Sequence, residues 1–137
     1  MSDNDQIIDE FRTHGGVVGG PFEGKHLLLL HTVGRRTGAE RINPLVYATD
    51  SGSLVVCGSN GGAEKDPQWV SNVDAMSEVT IEIGERTLRA TPTVVSAPEE
   101  DWKRLHDVWG AYWPPLSSYE TKTDRRFPLI LLDPVVA

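Results

Sequence analysis

The sequence predicts a mainly β domain of the α+β class, with a mostly antiparallel sheet curled into a barrel and a few short helices. Three observations lead there. Apolar segments of strand length recur, as in "HLLLLHT" (26–32) and "FPLILLD" (127–133). "VTIEI" (79–83) alternates Val79, Ile81 and Ile83 with Thr80 and Glu82, the pattern of a strand buried on one face. Short turn signals join the segments: "DSG" lies between "INPLVYAT" (42–49) and "SLVVCG" (53–58), and "GE" precedes "RTLRATPTVV" (86–95). The 137 residues suit a single domain.

From the N-terminus, Ile7, Ile8 and Phe11 fall on one face of a short amphipathic helix. "GGVVGGPFEG" (15–24) follows, so residues 1–24 read as a helix plus a glycine-rich segment. Six strands are then expected. Pro92 suggests that the fifth of them is an edge strand or carries a bulge. Two helices interrupt the series. "DPQWVSNVDAM" offers Asp66 as N-cap and Pro67 at the first helical position, with Trp69, Asn72 and Val73 on one face. "SAPEEDWKRLHDVWG" spaces Ser96 and Glu99 as a capping box, stripes Trp102, Leu105 and Trp109 along one side, and reaches Gly110 as a stop.

Composition excludes several classes. No apolar run reaches the roughly 18 residues of a membrane span. The acidic "MSDNDQIIDE" lacks the basic start of a signal peptide, and a lone Cys57 makes no internal disulfide, so a cytoplasmic location is expected. Residues 1–24 leave weak peripheral association with the inner face of a membrane open. A formal net charge of -7 argues against a nucleic-acid partner. His14, His26, His31 and His106 lack ligand spacing, and His26 and His31 read as polar groups at strand ends, so no metal site is expected.

Charge is unevenly spread, however. Residues 25–41 place Lys25, Arg35, Arg36 and Arg41 against Glu40 alone. Two glycine-containing loops follow strands: "TVGRRTG" (32–38) and "GSNGGAEKDPQW" (58–69), the second running into a helix. Such loops expose backbone N–H groups, and arginine forks onto phosphate or carboxylate. Together they suggest a polyanionic ligand lying across one barrel mouth. The residues alone equally allow the glycines to do no more than turn the chain. The third cluster, "WGAYWPPLSSYETKTDRRFP" (109–128), is rich in aromatics that suit either a pocket wall or a core lid.

"GRRTGAERINPL", "SNGGAEKDPQWVSN" and "YWPPLSSYETKTDRRFP" resemble, in order, the three signature regions of the deazaflavin-dependent nitroreductases, and "GGPFEG" is similar to many members. The resemblance covers about residues 5–135. It implies an antiparallel split β-barrel of the type that also binds FMN, and reduced coenzyme F420 as cofactor. By that pattern Lys25, Arg35, Arg36, Thr37 and Arg41 serve the phosphate and polyglutamate tail. Ile42, Asn43, Pro44 and Leu45 run along the cofactor. Cys57, Gly58, Ser59 and Asn60 form a loop beside it, while Gln68, Trp69, Val70, Ser71 and Asn72 belong to a helix that closes over it. Tyr119 matches an aromatic position on the substrate side and Leu116 stands at a second such position; Tyr112 and Trp113, read from the residues as pocket wall or core lid, are expected beside them.

Two departures stand out. Asn60 replaces a lysine common in relatives, with Lys65 as a substitute, and Leu116 replaces a tyrosine of the nitro-reducing type. The implied reaction is hydride transfer from reduced F420 to an electron-poor small molecule: a quinone, activated enone or nitroaromatic. Ser59 and Tyr119 are the side chains placed to orient that acceptor. A non-catalytic carrier of F420 or lipid and an FMN protein are the alternatives. Monomer and homodimer are both compatible with the sequence.

Overall fold

A computed structural model of the protein describes residues 3–135. Helix α1 spans Asp3–Thr13, and a 3-10 turn follows at Gly20–Phe22. Then come β1 (Leu27–Val33), β2 (Glu40–Val46), β3 (Ala48–Asp50), β4 (Ser53–Cys57), a turn at Asn60–Gly62, α2 (Gln68–Asp74), β5 (Val79–Ile83), β6 (Arg86–Val95), α3 (Trp102–Tyr112), α4 (Leu116–Glu120) and β7 (Leu129–Pro134). No described helix is long and apolar enough to cross a membrane.

The described strands form one antiparallel sheet in the order β2-β1-β5-β6-β7-β4-β3. Its two outermost strands, β2 and β3, are separated in the chain by Tyr47 alone. A flat sheet cannot place consecutive residues at opposite edges, so this one curls. The single strand expected over 42–49 is therefore two, bent at Tyr47, whose N–H bonds the His26 carbonyl at 3.1 Å. The "DSG" signal makes a tight hairpin turn with Ser51 at φ 50° and Gly52 at φ 91°, the left-handed pair of a type I′ turn.

Both faces of the sheet are covered, which explains the unbroken leucine run. Leu27 and Leu29 face a cluster with Ile8 and Phe11 of α1, Leu105 and Trp109 of α3, and Phe127. Leu28 and Leu30 face a second cluster with Trp69, Val70 and Val73 of α2, Ile81, Ile130 and Leu132. Trp109 donates its indole N–H to the Val46 carbonyl at 3.0 Å, and Trp102 donates to Phe127 at 2.8 Å. These bonds let α3 bury large rings without orphaning a donor.

Three local readings change. Pro92 lies in a strand interior to the sheet order, yet β5 pairs only as far as Ala90. Positions 91–95 pair with β7 on one side only, a local edge that tolerates a missing N–H. Asp66 does not cap α2; Pro67 occupies the cap without a side-chain bond, because Asp66 is paired with Arg125. Gly110 does not end α3, which runs to Tyr112. A β-carbon at Gly110 would stand 2.9 Å from Leu116 Cδ2, so the glycine admits α4 instead. Of the capping box, the bond from Ser96 N–H to Glu99 Oε2 forms at 3.2 Å, and α3 itself starts later, at Trp102.

Helix α1 is fastened by charge. Arg12 donates to Glu82 of β5 through Nε at 3.1 Å and Nη2 at 2.7 Å, and His31 Nε2 lies 2.6 Å from the same carboxylate. His31 is thus an interior position of β1 rather than a strand end. The hydrogen bond from Arg12, then that from His31, holds the Glu82 carboxyl below its ordinary range. A lowered folded-state value contributes stability above the unfolded pKa, which is lost as pH falls through the folded value. Glu82→Gln should therefore destabilise the protein at neutral pH. Its deficit relative to wild type, measured by urea unfolding, should shrink as pH falls below about 4, where Glu82 protonates first in the unfolded chain and then, at lower pH, in the folded protein.

Candidate active site

The β1–β2 loop carries the arginines. Gly34 N–H bonds the Ala39 carbonyl, Gly38 N–H bonds that of Gly34, both at 2.9 Å, and Gly38 has φ 71°. This tight loop is tied to α2 through Asn72. Its Oδ1 accepts from Arg35 N–H at 3.2 Å, and its Nδ2 donates to Thr32 Oγ1 at 3.4 Å. Asn72 and Thr32 are both buried. Arg35 Nη1 also reaches Ser71 Oγ at 3.3 Å. Between loop and helix lies a cavity of about 680 Å³ lined by Gly34, Arg35, Arg36, Thr37, Arg41, Gln68, Ser71 and Asn72. None of these residues is acidic.

Beyond it, a cavity of about 300 Å³ shares Arg41, Gln68 and Asn72 with the first and adds Asn43, Asn60, Asp66, Pro67 and Trp69. A third, of about 330 Å³, shares Asn43, Asn60, Pro67 and Trp69 and continues to Cys57, Ser59, Gly61, Phe22, Trp109, Trp113 and Tyr119. The three make one trough, cationic at one end and aromatic at the other. Strand β2 pairs only with β1 within the sheet, so its outer edge is free of strand partners where Asn43, Pro44, Leu45 and Val46 line the trough. Pro44 fits such an edge, having no N–H to leave unpaired.

The aromatic end has a built polar group. Trp113 Nε1 donates to Tyr119 Oη at 3.1 Å. With its oxygen accepting, the Tyr119 hydroxyl keeps its own proton to give outward. Phe22 stacks on Trp113 with ring centroids 5.7 Å apart. Cys57 lines the cavity, but burial pushes its thiol well up, so it stays protonated and is no nucleophile at neutral pH.

The loop at 58–66 is unusual in its backbone. Asn60, Gly61 and Gly62 take φ of 51°, 63° and 90°. Asn is among the few residues tolerated there, which gives the lysine-to-asparagine departure a conformational basis. Gly62 is required by packing as well: a β-carbon would stand 2.6 Å from the Tyr119 carbonyl oxygen.

The trough thus gathers Arg35, Arg36, Thr37, Arg41, Asn43, Pro44, Leu45, Cys57, Ser59, Asn60, Gln68, Trp69, Ser71, Asn72, Trp113 and Tyr119. Other expected site residues are placed elsewhere. Lys25 Nζ bonds the Tyr112 carbonyl at 2.8 Å and lies 4.6 Å from that ring's centroid, and Tyr112 Oη accepts from His26 N–H at 2.6 Å. The pair locks the start of β1. Ile42 packs on the α1 side of β2. Val70 is core, and Gly58 admits it, since a β-carbon there would stand 2.8 Å from Val70 Cγ2. Leu116 is buried in the other core, against Gly110. Lys65 is exposed and contributes its carbonyl to Asn60 Nδ2 at 3.1 Å. Sequence reasoning missed Phe22, Pro67 and Trp109 in the wall, and Arg125 beneath the loop. Phe22 sits within "GGPFEG" and Arg125 within "TDRRFP", but neither pattern says which way the side chain turns.

A family model for F420H(2)-dependent quinone reductases matches residues 6–134. The chain belongs to that family. An F420H(2)-dependent quinone reductase of Mycobacterium tuberculosis (strain ATCC 25618 / H37Rv) is 30% identical over 110 residues, 77% of this chain and 71% of the relative. Among solved structures, an F420-H2 dependent reductase superposes with a TM-score of 0.68 at 29% identity, covering 78% of this chain and 93% of that one. A domain-swapped dimer superposes with a TM-score of 0.71 at 25% identity, covering 94% and 95%. The oxidoreductase family, its cofactor (reduced F420) and the split-barrel fold expected from the sequence are all borne out. In this quinone reductase family member the 58–66 loop presses directly on α4. Gly62→Ala combines a strained φ with a backbone clash and should cost about 2 kcal/mol or more. Chemical denaturation checks it; a loss of a few tenths would show that the loop yields easily.

Proposed function

We propose that this protein is an F420H2-dependent reductase whose trough holds the reduced deazaflavin and whose aromatic end receives a quinone. One observation carries the reading: a single continuous trough is cationic at Arg35, Arg36 and Arg41 and aromatic at Trp109, Trp113 and Tyr119. That polarity suits a cofactor with a flat ring at one end and a phosphate and carboxylate tail at the other. Bound there, reduced F420 supplies a hydride for the acceptor.

The chain's residues do the rest. Arg35, Arg36 and Arg41 attract the phosphate and tail, with guanidinium forks matched to both anions. Asn72 holds Arg35's backbone against α2, so the cationic end is preorganised. The open edge of β2 from Asn43 to Leu45 offers backbone groups to the ring. Trp69 and the aromatic wall exclude water around the reacting groups. Tyr119, its oxygen held by Trp113, directs its proton toward an acceptor oxygen that gains negative charge. The buried Ser59 offers a second hydroxyl in the same wall.

Oxidation of F420H2 on adding menadione, followed by the return of F420 fluorescence, tests the activity. Activated enones and nitroaromatics in the same panel define the acceptor range. Tight F420 binding with no turnover across that panel would make the protein a carrier instead. No binding at micromolar protein would remove F420 from the account. The double variant Arg35→Ala/Arg36→Ala should weaken F420 affinity roughly tenfold at low salt, more for longer tails, and the difference should narrow as salt screens it. Unchanged affinity at low salt would show that the arginines are surface charges only.

A further inference from the structure

The geometry points to Arg125 as the positioning residue that holds the 58–66 loop in its cofactor-binding form. This inference rests on the reading that the trough takes reduced F420. Arg125 lies outside the trough lining, yet its guanidinium reaches across the whole loop. Nη1 donates to the Gly58 carbonyl at 3.2 Å and also pairs with Asp66. Nη2 donates to the Ser59 carbonyl at 2.9 Å, and Nε donates to that of Ala63 at 3.0 Å. Its carbon Cζ lies 4.6 Å from the centroid of the buried Phe127 ring, and the side chain is only 15% exposed. One cation therefore joins both ends of the loop, and its fork is spent on protein groups.

The consequence is directional. In a planar trans peptide the C=O and the next N–H point in opposite senses. Turning the Gly58 and Ser59 carbonyls toward Arg125 turns the N–H groups of Ser59 and Asn60 away from it. Ser59, Asn60 and Gly61 line the trough, so we infer that the Asn60 N–H, turned from Arg125, faces it. Ser59 is right-handed at φ -72° and ψ -32°, and Asn60 is left-handed at φ 51°. That succession gathers adjacent N–H groups into a concavity suited to an anionic or carbonyl oxygen. Arg125 would thus act on the cofactor through the loop, touching no part of it.

Lysine keeps the charge but presents its donors from one point, so it cannot span three carbonyls and a carboxylate. Arg125→Lys should lower F420 affinity about tenfold, the scale of losing charge-assisted hydrogen bonds, while kcat at saturating F420 changes less. Hydrogen exchange of the 58–66 backbone should accelerate in the variant without any cofactor present. In Arg125→Ala, millimolar guanidinium should restore part of the affinity. Arg126→Ala, an exposed neighbour, serves as control and should bind as wild type does. Unchanged affinity in Arg125→Lys, or a collapse of its thermal transition, would overturn the assignment in favour of a plain structural anchor. If wild type itself fails to bind F420, the cofactor reading falls, and the exchange measurement still decides whether Arg125 holds the loop.

Discussion

Tyr47 is the hinge of the molecule. The chain enters it from one outermost strand of the sheet and leaves it into the other. Joining the two edges through one residue forces the sheet to curl, and the curl decides what else must follow. Each face then needs its own apolar cover, which α1, α3 and α4 supply on one side and α2 on the other. The outer edge of β2 comes to line a trough, where an unpaired backbone edge can serve a ligand instead of inviting another strand.

The trough is shaped by polar ties behind it rather than by its lining alone. Asn72 fixes the arginine loop to α2, and Arg125 gathers the glycine loop from beneath. Trp113 sets the phenol of Tyr119, and Lys25 and Tyr112 lock the start of β1. Each replaces solvent contacts with hydrogen bonds of limited net worth. Their value lies in order: they hold loops that would otherwise be among the least stable parts of the protein.

Much of this could be read in the residues. Alternation placed β5 at 79–83, the Gly-Glu turn placed β6 at 86–95, and a continuous leucine run marked a buried strand. The basic island and the two glycine loops pointed to one anion-binding mouth, and resemblance named the family. Contacts between residues distant in sequence escaped. Asp66 looked like a helix cap because a cap is a local pattern, yet Arg125, far along the chain, claims its carboxylate. Gly110 looked like a stop, yet it is the space that Leu116 needs. Lys25 looked like part of the basic island by proximity in sequence, and the fold turns it onto Tyr112.

The sequence by itself determined most of the strand and helix segments and the basic, glycine-containing character of the two loops. These follow from periodicity, turn chemistry and charge, which act over a few residues. Only the tertiary structure decided that 40–50 is two strands at opposite edges, that three cavities join into one trough, and which cations face it. Those outcomes depend on sheet closure and on side-chain direction. Both are set by packing between segments that share no local signal.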